Sequence, residues 1–315
     1  FSSTQIQSLS LAGVKALSTA QVANLGTAQI DKLTTSQVAS LTSAQLGALT
    51  TAQTGKLTTE QLSTLTGKQV VGLATADLVV MSSTQLQAIS TAALGQLSTA
   101  QVAALTTAQA NGLSTSQIAA LTTSQTQAVT TADLLTLSTS QINALGTANA
   151  AVLTTAQIAG LTTAQIAGLS TDNFAVLGTD RLQALTTQQA AALTSSQTAA
   201  LTTAKAVILE TADLAALTTA NLLALSTAQM AALTTDQVVA LSSSQIAAMS
   251  TTHIAALSAS GVSGLTADQV AATNSPLVST SLIHGIASCR PISDVPVNRL
   301  SFQMPRTTRL GYGQT

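Results

Sequence analysis

Large apolar residues recur along this chain in two columns of an eight-residue pattern. Dividing the sequence every eight residues from Phe1 gives 34 octads through Ala272, with no insertion or deletion and with the consensus L-[ST]-T-A-Q-[IVL]-A-[AG]. Position 1 is always large and apolar, and position 6 is so in 27 of the 34 octads. These two columns predict the core. In the stretch "LTTAQIAGLTTAQIAG" the predicted core ladder is Leu153, Ile158, Leu161 and Ile166.

The period of eight fits neither a long helix nor a long strand. At about 100° per residue the apolar seam of one continuous helix would spread around the whole cylinder. In a continuous strand, positions 1 and 6 would point to opposite faces. The chain must therefore turn within every octad or every pair of octads.

The polar residues of the octad indicate how the chain turns. Ser or Thr at position 2 followed by Gln at position 5 matches the capping box of a helix N-terminus. Thr154 with Gln157 and Thr162 with Gln165 are predicted capping pairs. Acidic residues fall mainly at positions 4 and 5, in the first turn, where the helix dipole favours them. The pattern thus predicts an all-α solenoid of very short helices, one per octad.

A β-solenoid with two octads per coil is the alternative fold. Thr and Val favour strands, and stacked Gln ladders are physically sound. For the helical version, we expect two columns of octads in 17 layers, a rod about 150 Å long at ordinary helix spacing. Its surface would carry Thr, Ser and Gln.

The composition favours a non-catalytic protein. Charged residues are 7% and aromatic residues 1% of the chain, whereas about a quarter of a typical globular domain is charged. His253 occupies a position-5 column as a tolerated polar substitution, and His284 lies near Cys289 without a motif for nucleophile and base. Zinc would need several Cys or His at short spacing. The sequence predicts no catalytic residue, cofactor or metal site.

The repeat pattern stops after Ala272, which predicts two regions. Residues 1–272 form the solenoid with six basic and ten acidic side chains, and residues 273–315 form a cap or assembly segment with four Arg against Asp294. In a head-to-tail homo-oligomer or filament, the basic segment of one subunit would contact the acidic solenoid of the next. The possible assembly residues are Arg290, Arg299, Arg306 and Arg309. No basic cluster favours nucleic acid, and no apolar run is long enough to span a membrane.

The octads "LTTAQIAG", "LSTAQVAA" and "LTTDQVVA" resemble the LTxxQ-type octapeptide repeat tracts of large bacterial surface or secreted adhesin-like proteins. The resemblance covers residues 1–272. It implies an extracellular or cell-surface location. We therefore expect a structural stalk, spacer or filament subunit. A binding module that recognises a glycan or ice through a Thr/Ser/Gln face is the alternative function.

Overall fold

The computed structural model describes residues 2–273, which form 34 short α-helices of four to six residues. These residues contain no β-strand, so the β-solenoid alternative is wrong and the all-α solenoid is confirmed. The predicted segment 273–315 lies outside the described residues from position 274 onward. The helices are α1 (Ser3–Gln7), α2 (Leu11–Lys15), α3 (Thr19–Ala23), α4 (Thr27–Lys32), α5 (Thr35–Ser40), α6 (Ser43–Gly47), α7 (Thr51–Thr54), α8 (Thr59–Ser63), α9 (Gly67–Val70), α10 (Thr75–Val79), α11 (Ser83–Ala88), α12 (Thr91–Leu94), α13 (Thr99–Ala103), α14 (Thr107–Gly112), α15 (Thr115–Ala119), α16 (Thr123–Ala128), α17 (Thr131–Thr136), α18 (Thr139–Ala144), α19 (Gly146–Ala150), α20 (Thr155–Gly160), α21 (Thr163–Ala167), α22 (Thr171–Ala175), α23 (Thr179–Gln183), α24 (Thr187–Ala191), α25 (Ser195–Ala199), α26 (Thr203–Val207), α27 (Thr211–Ala216), α28 (Thr219–Ala224), α29 (Thr227–Ala232), α30 (Thr235–Ala240), α31 (Ser243–Ala248), α32 (Thr251–Ala256), α33 (Ala259–Ser263) and α34 (Ala267–Ala272).

Each helix begins at its cap and ends before the next one. Helix α20 shows the pattern: Thr154 precedes it with extended backbone (φ −73°, ψ 160°), and Leu161 follows it with extended backbone (φ −65°, ψ 147°). The Leu161 N–H closes the last turn on the Ile158 carbonyl at 3.1 Å. Two capping residues eight positions apart therefore leave room for little more than one turn of helix.

Helices pack against the third helix along the chain, as in the pairs α14 with α17, α24 with α27 and α25 with α28. Hydrogen bonds from position 5 reach residues 28 to 31 positions earlier, at the end of the helix of the fourth octad back. One turn of the solenoid thus takes between three and four octads, and the expected two-column stack is wrong. With about 28 residues per turn and helices about 8 to 10 Å apart, the rod has about ten turns and a length of about 80 to 100 Å.

The core runs along the solenoid as one continuous apolar cluster built from positions 1 and 6. Phe174, on α22, is the bulkiest member and is fully buried. Helix α22 contacts α19 and α25, which carry the smaller Ala150 and Thr198 at position 6. The small residues on the neighbouring turns leave the volume that the phenyl ring fills, as close packing requires.

Small residues at position 8 let successive turns approach closely. Gly112, at the end of α14, faces Ser83 at the start of α11, and a Cβ built on Gly112 would lie 2.5 Å from the Ser83 Cβ. Gly264 has the same relation to Thr235, whose Cγ2 would lie 2.5 Å from the added Cβ. Gly and Ala at position 8 therefore set the spacing between octads that are three units apart.

Candidate functional site

The predicted core ladder lies inside the solenoid. Leu153, Ile158 and Ile166 are fully buried, and Leu161 is 4% exposed. All four belong to the continuous apolar cluster. Their burial in this cluster indicates that they hold the turns together.

The predicted capping pairs form the hydrogen bonds of a capping box. The Gln157 N–H donates to Thr154 Oγ1 at 3.1 Å, and the Thr154 N–H donates to Gln157 Oε1 at 2.8 Å. Thr162 and Gln165 make the same two bonds at 3.1 and 2.9 Å. Two of the N–H groups that a helix start leaves without a partner are thereby satisfied.

The Gln side chains do not lie on the surface as expected. Gln157 is 2% exposed and Gln165 is 3% exposed. While Gln157 Oε1 serves its own cap, Nε2 donates to the carbonyls of Thr126 at 2.9 Å and Val129 at 2.8 Å. These carbonyls end helix α16, four octads earlier, where a helix leaves its C=O groups without internal partners. We call this contact the inter-turn clamp: a position-5 nitrogen that donates to carbonyls at the C-terminal end of the helix in the fourth octad back.

The inter-turn clamp recurs throughout the described chain, always to carbonyls 28 to 31 residues earlier. One amide therefore caps two helices, the N-terminus of its own and the C-terminus of another one turn away. The clamping glutamines are Gln37, Gln45, Gln53, Gln61, Gln69, Gln85, Gln101, Gln109, Gln117, Gln125, Gln141, Gln157, Gln165, Gln189, Gln197, Gln229, Gln237, Gln245 and Gln269.

The sequence carries a signal for this second role that the capping box alone does not explain. A capping box accepts Glu as readily as Gln at its third position, yet none of the 34 octads has Glu at position 5, and 22 have Gln. Glu would satisfy the cap but has no nitrogen for the carbonyls of the previous turn. The preference for Gln over Glu indicates that a side chain which donates as well as accepts is favoured at position 5.

Other nitrogen-bearing side chains at position 5 make the same clamp. Asn149 donates to the Leu121 carbonyl at 2.9 Å, and Lys205 Nζ donates to the Ala175 carbonyl. His253 places Nε2 2.9 Å from the Leu225 carbonyl and Nδ1 2.6 Å from Ser250 Oγ. Arg181 Nε donates to the Leu153 carbonyl. An amide, an ammonium, an imidazole and a guanidinium all fit this place.

Three aspartates occupy position 5 without a donor nitrogen, and all three are buried. Asp77 Oδ2 accepts from the Ala74 N–H at 3.3 Å, and Asp133 Oδ2 accepts from the Thr130 hydroxyl at 2.6 Å. Asp213 is 1% exposed, and its Oδ2 has no hydrogen-bond partner among residues 2–273. These carboxylates replace a donor with an acceptor at the carbonyl ends of the previous turn.

Burial disfavours the charge on two of these groups. Desolvation raises the pKa of Asp77 above its ordinary value, against the N–H of Ala74, which lowers it. Desolvation also raises the pKa of Asp213; the Thr187 hydroxyl lowers this pKa, and the negative charge of Glu210 raises it further. Both shifts follow from placing a carboxylate away from water without a cationic partner.

The other residues singled out from the sequence belong to the C-terminal segment. His284, Cys289, Arg290, Arg299, Arg306 and Arg309 lie outside the described residues. Within residues 2–273, no three His, Cys, Asp or Glu side chains come together in a group that could hold a metal ion. No helix in this part of the chain has the length and apolar character of a membrane span.

The sequence profile of the ALTTAQ repeat matches the chain six times, at residues 12–43, 70–107, 127–163, 151–187, 207–243 and 238–273. These matches cover more than half of the chain. The chain belongs to the ALTTAQ repeat family. The match confirms the repeat tract, and the ALTTAQ motif contains the Thr of the capping box and the Gln of the inter-turn clamp. A comparison with curated proteins found no match.

Proposed function

We propose that this ALTTAQ repeat protein is a non-catalytic structural protein that serves as a stalk, spacer or filament subunit outside a bacterial cell. The observation that carries the proposal is the inter-turn clamp, which joins turn to turn along the described chain. Pulling two turns apart would expose the core ladder and leave two or more carbonyls per clamp without donors. Resistance to such separation suits a rod that holds two points at a fixed distance.

The chemistry of position 5 also supports a structural role. The basic side chains at position 5, His253, Lys205 and Arg181, each donate to a carbonyl of the previous turn. His253 has both ring nitrogens in hydrogen bonds. An imidazole that acts as a general base needs a ring nitrogen free for the substrate, so the hydrogen bonds of His253 favour a structural role for this side chain.

The extracellular location rests on the resemblance to repeat tracts of bacterial surface and secreted proteins. The small number of charged residues fits a scaffold without nucleic-acid contacts. Filament formation through the basic segment that holds Arg290, Arg299, Arg306 and Arg309 belongs to the same proposal. Antibody labelling of intact cells tests the location, and a signal only after the cells are permeabilised would contradict it.

Rod length provides the direct test. Deleting residues 145–200 removes seven whole octads, α19 to α25, and keeps the phase of the remaining ones. At about 28 residues per turn and about 8 to 10 Å between turns, we expect the maximum dimension from small-angle X-ray scattering to fall by about 16 to 20 Å with an unchanged cross-section. A compact particle, or a shortened chain with an unchanged maximum dimension, would contradict the spacer.

A binding module is the second candidate, since hydroxyls at positions 2 and 3 are exposed on many octads. Thr162 and Thr163 on one unit and Thr186 and Thr187 on another show this arrangement. The clamping glutamines are buried, so the binding face would be built from Ser and Thr alone. Glycan-array binding and inhibition of ice recrystallisation by the intact chain test this candidate, and inactivity in both assays would contradict it.

A further inference from the structure

One of the three aspartates at position 5 has a buried carboxylate oxygen without a partner, at a position where most octads have a side-chain donor. Asp213, at position 5 on α27, is 1% exposed, and its Oδ2 has no partner among the described residues. Its other interactions are a side-chain hydrogen bond with Thr187 and the nearby charge of Glu210. A buried carboxylate oxygen without a donor is costly, so the place requires a positive partner.

The register of the repeat identifies the groups that face this carboxylate. Clamps reach carbonyls 31, 30 and 28 residues earlier, which for position 213 are those of Leu182, Gln183 and Leu185. Among the described residues, the Gln183 and Leu185 carbonyls receive no hydrogen bond from outside their own helix. Asn221, with a side chain of the same length, reaches the equivalent Leu193 carbonyl at 2.6 Å. From this register we infer that the Asp213 carboxylate faces the Leu185 and Gln183 carbonyls.

Neighbouring turns show which chemistry this place accepts. One octad earlier, the Lys205 ammonium donates to the Ala175 carbonyl. Three octads further back, the Arg181 guanidinium donates to the Leu153 carbonyl. The C-terminal carbonyls of these short helices thus hold a cation when position 5 supplies one. At Asp213 the side chain supplies a carboxylate, so the cation must come from solution.

We propose that Asp213, the Leu185 and Gln183 carbonyls and the carboxylate of Glu210 bind a hard metal cation of the calcium class. Calcium prefers carboxylate and backbone carbonyl oxygens, and it tolerates irregular geometry completed by water. Glu210 occupies the cap position of α27, where most octads have Ser or Thr, and it is exposed, so it adds a second negative charge on the solvent side. Asp77 and Asp133 lack this combination, because each has a donor for its Oδ2.

Calcium titration of the intact chain tests the site. After treatment with a chelator, isothermal calorimetry with CaCl2 should show about one ion per chain, and the thermal unfolding midpoint should rise with CaCl2 because the ion binds only the folded state. NaCl at matched ionic strength should leave the midpoint unchanged, and MgCl2 should act more weakly since it demands near-octahedral geometry.

Three variants separate the site from general charge effects. Asp213→Asn supplies the amide that Asn221 already provides in the same register, so the chain should fold and lose the calcium response. Glu210→Ser restores an ordinary cap and should weaken calcium binding by about tenfold, since ligand charge tunes affinity. Asp236→Asn removes an exposed charge from α30 and should keep the full response. Absence of calcium binding, its persistence in Asp213→Asn, or stabilisation by acid with no effect of CaCl2 would overturn the proposal.

Discussion

Replacing Gln157 by Glu separates the two roles of position 5. Glu keeps an oxygen for the Thr154 N–H, so the capping box survives. It replaces Nε2 with an oxygen that faces the Thr126 carbonyl at 2.9 Å and the Val129 carbonyl at 2.8 Å. Each buried carbonyl left without a donor costs about 1 to 3 kcal/mol, so the free energy of unfolding should fall by about 2 to 6 kcal/mol at neutral pH.

Gln21 provides the matched control. It makes the same capping box with Ser18, at 2.8 and 3.1 Å, but it is exposed and its amide donates to no residue among those described. Gln21→Glu should therefore change the free energy of unfolding by no more than about 0.5 kcal/mol, as is usual for an exposed site. The two variants carry the same change of charge and differ in the inter-turn clamp and in the burial that accompanies it.

The penalty in Gln157→Glu should depend on pH with a defined sign. Burial beside carbonyls raises the folded-state pKa of the new carboxyl above its unfolded value of about 4.3. The acid form can donate its O–H to one carbonyl, so part of the stability returns below the unfolded pKa and is lost as pH rises through the folded pKa. The Gln21→Glu variant should show no such recovery.

Equilibrium unfolding in urea, followed by far-UV circular dichroism, measures these differences. Hydrogen exchange adds a local measurement, because loss of the clamp should reduce protection in α16 and α20 more than in distant octads. Equal destabilisation of the two variants would refute the reasoning, since it would show that the loss comes from charge or from the capping box and not from the clamp. An unchanged Gln157→Glu variant would refute it as well.

Three further substitutions test other features of the solenoid by the same unfolding measurement. Asp77→Asn should stabilise the protein by about 1 to 3 kcal/mol at neutral pH, because Asn supplies a donor. The gain should vanish below about pH 4: the folded-state pKa of Asp77 is raised, so the unsubstituted protein is more stable in acid and loses that stability as pH rises. A gain independent of pH would contradict this account. Thr54→Val should stabilise by about 1 kcal/mol, because the buried Thr54 hydroxyl has no partner in the described chain; destabilisation would show that the hydroxyl is satisfied. Gly112→Ala should lower the free energy of unfolding by about 1 to 3 kcal/mol, because the added Cβ overlaps Ser83. Gly55→Ala is the control, since its added Cβ has its nearest contact at 3.4 Å and should not destabilise the protein. Equal effects of the two substitutions would refute the close approach at Gly112.

Much of this architecture follows from the octad itself. The core ladder and the cap residues could be predicted because each depends on contacts within one octad or on a simple apolar column. Thr154 and Gln157 lie three residues apart and meet within one turn of helix. The number of octads per turn could not be predicted, because it depends on the angle between successive helices. The pattern of apolar and capping residues within one octad does not encode that angle.

The inter-turn clamp also explains why the period of eight residues is strict while the residues within each octad vary. A substitution at position 5 alters one clamp. Several nitrogen-bearing side chains can replace Gln there and make the same contact, as Asn149 and Lys205 do. An insertion of one residue acts differently, because every clamp that spans the insertion changes its register. With a clamp about 28 residues long and one clamp per octad, about four clamps would fail together, at about 1 to 3 kcal/mol for each unsatisfied carbonyl. Length can therefore change by whole octads, and the composition of each octad can drift, but the period of eight cannot.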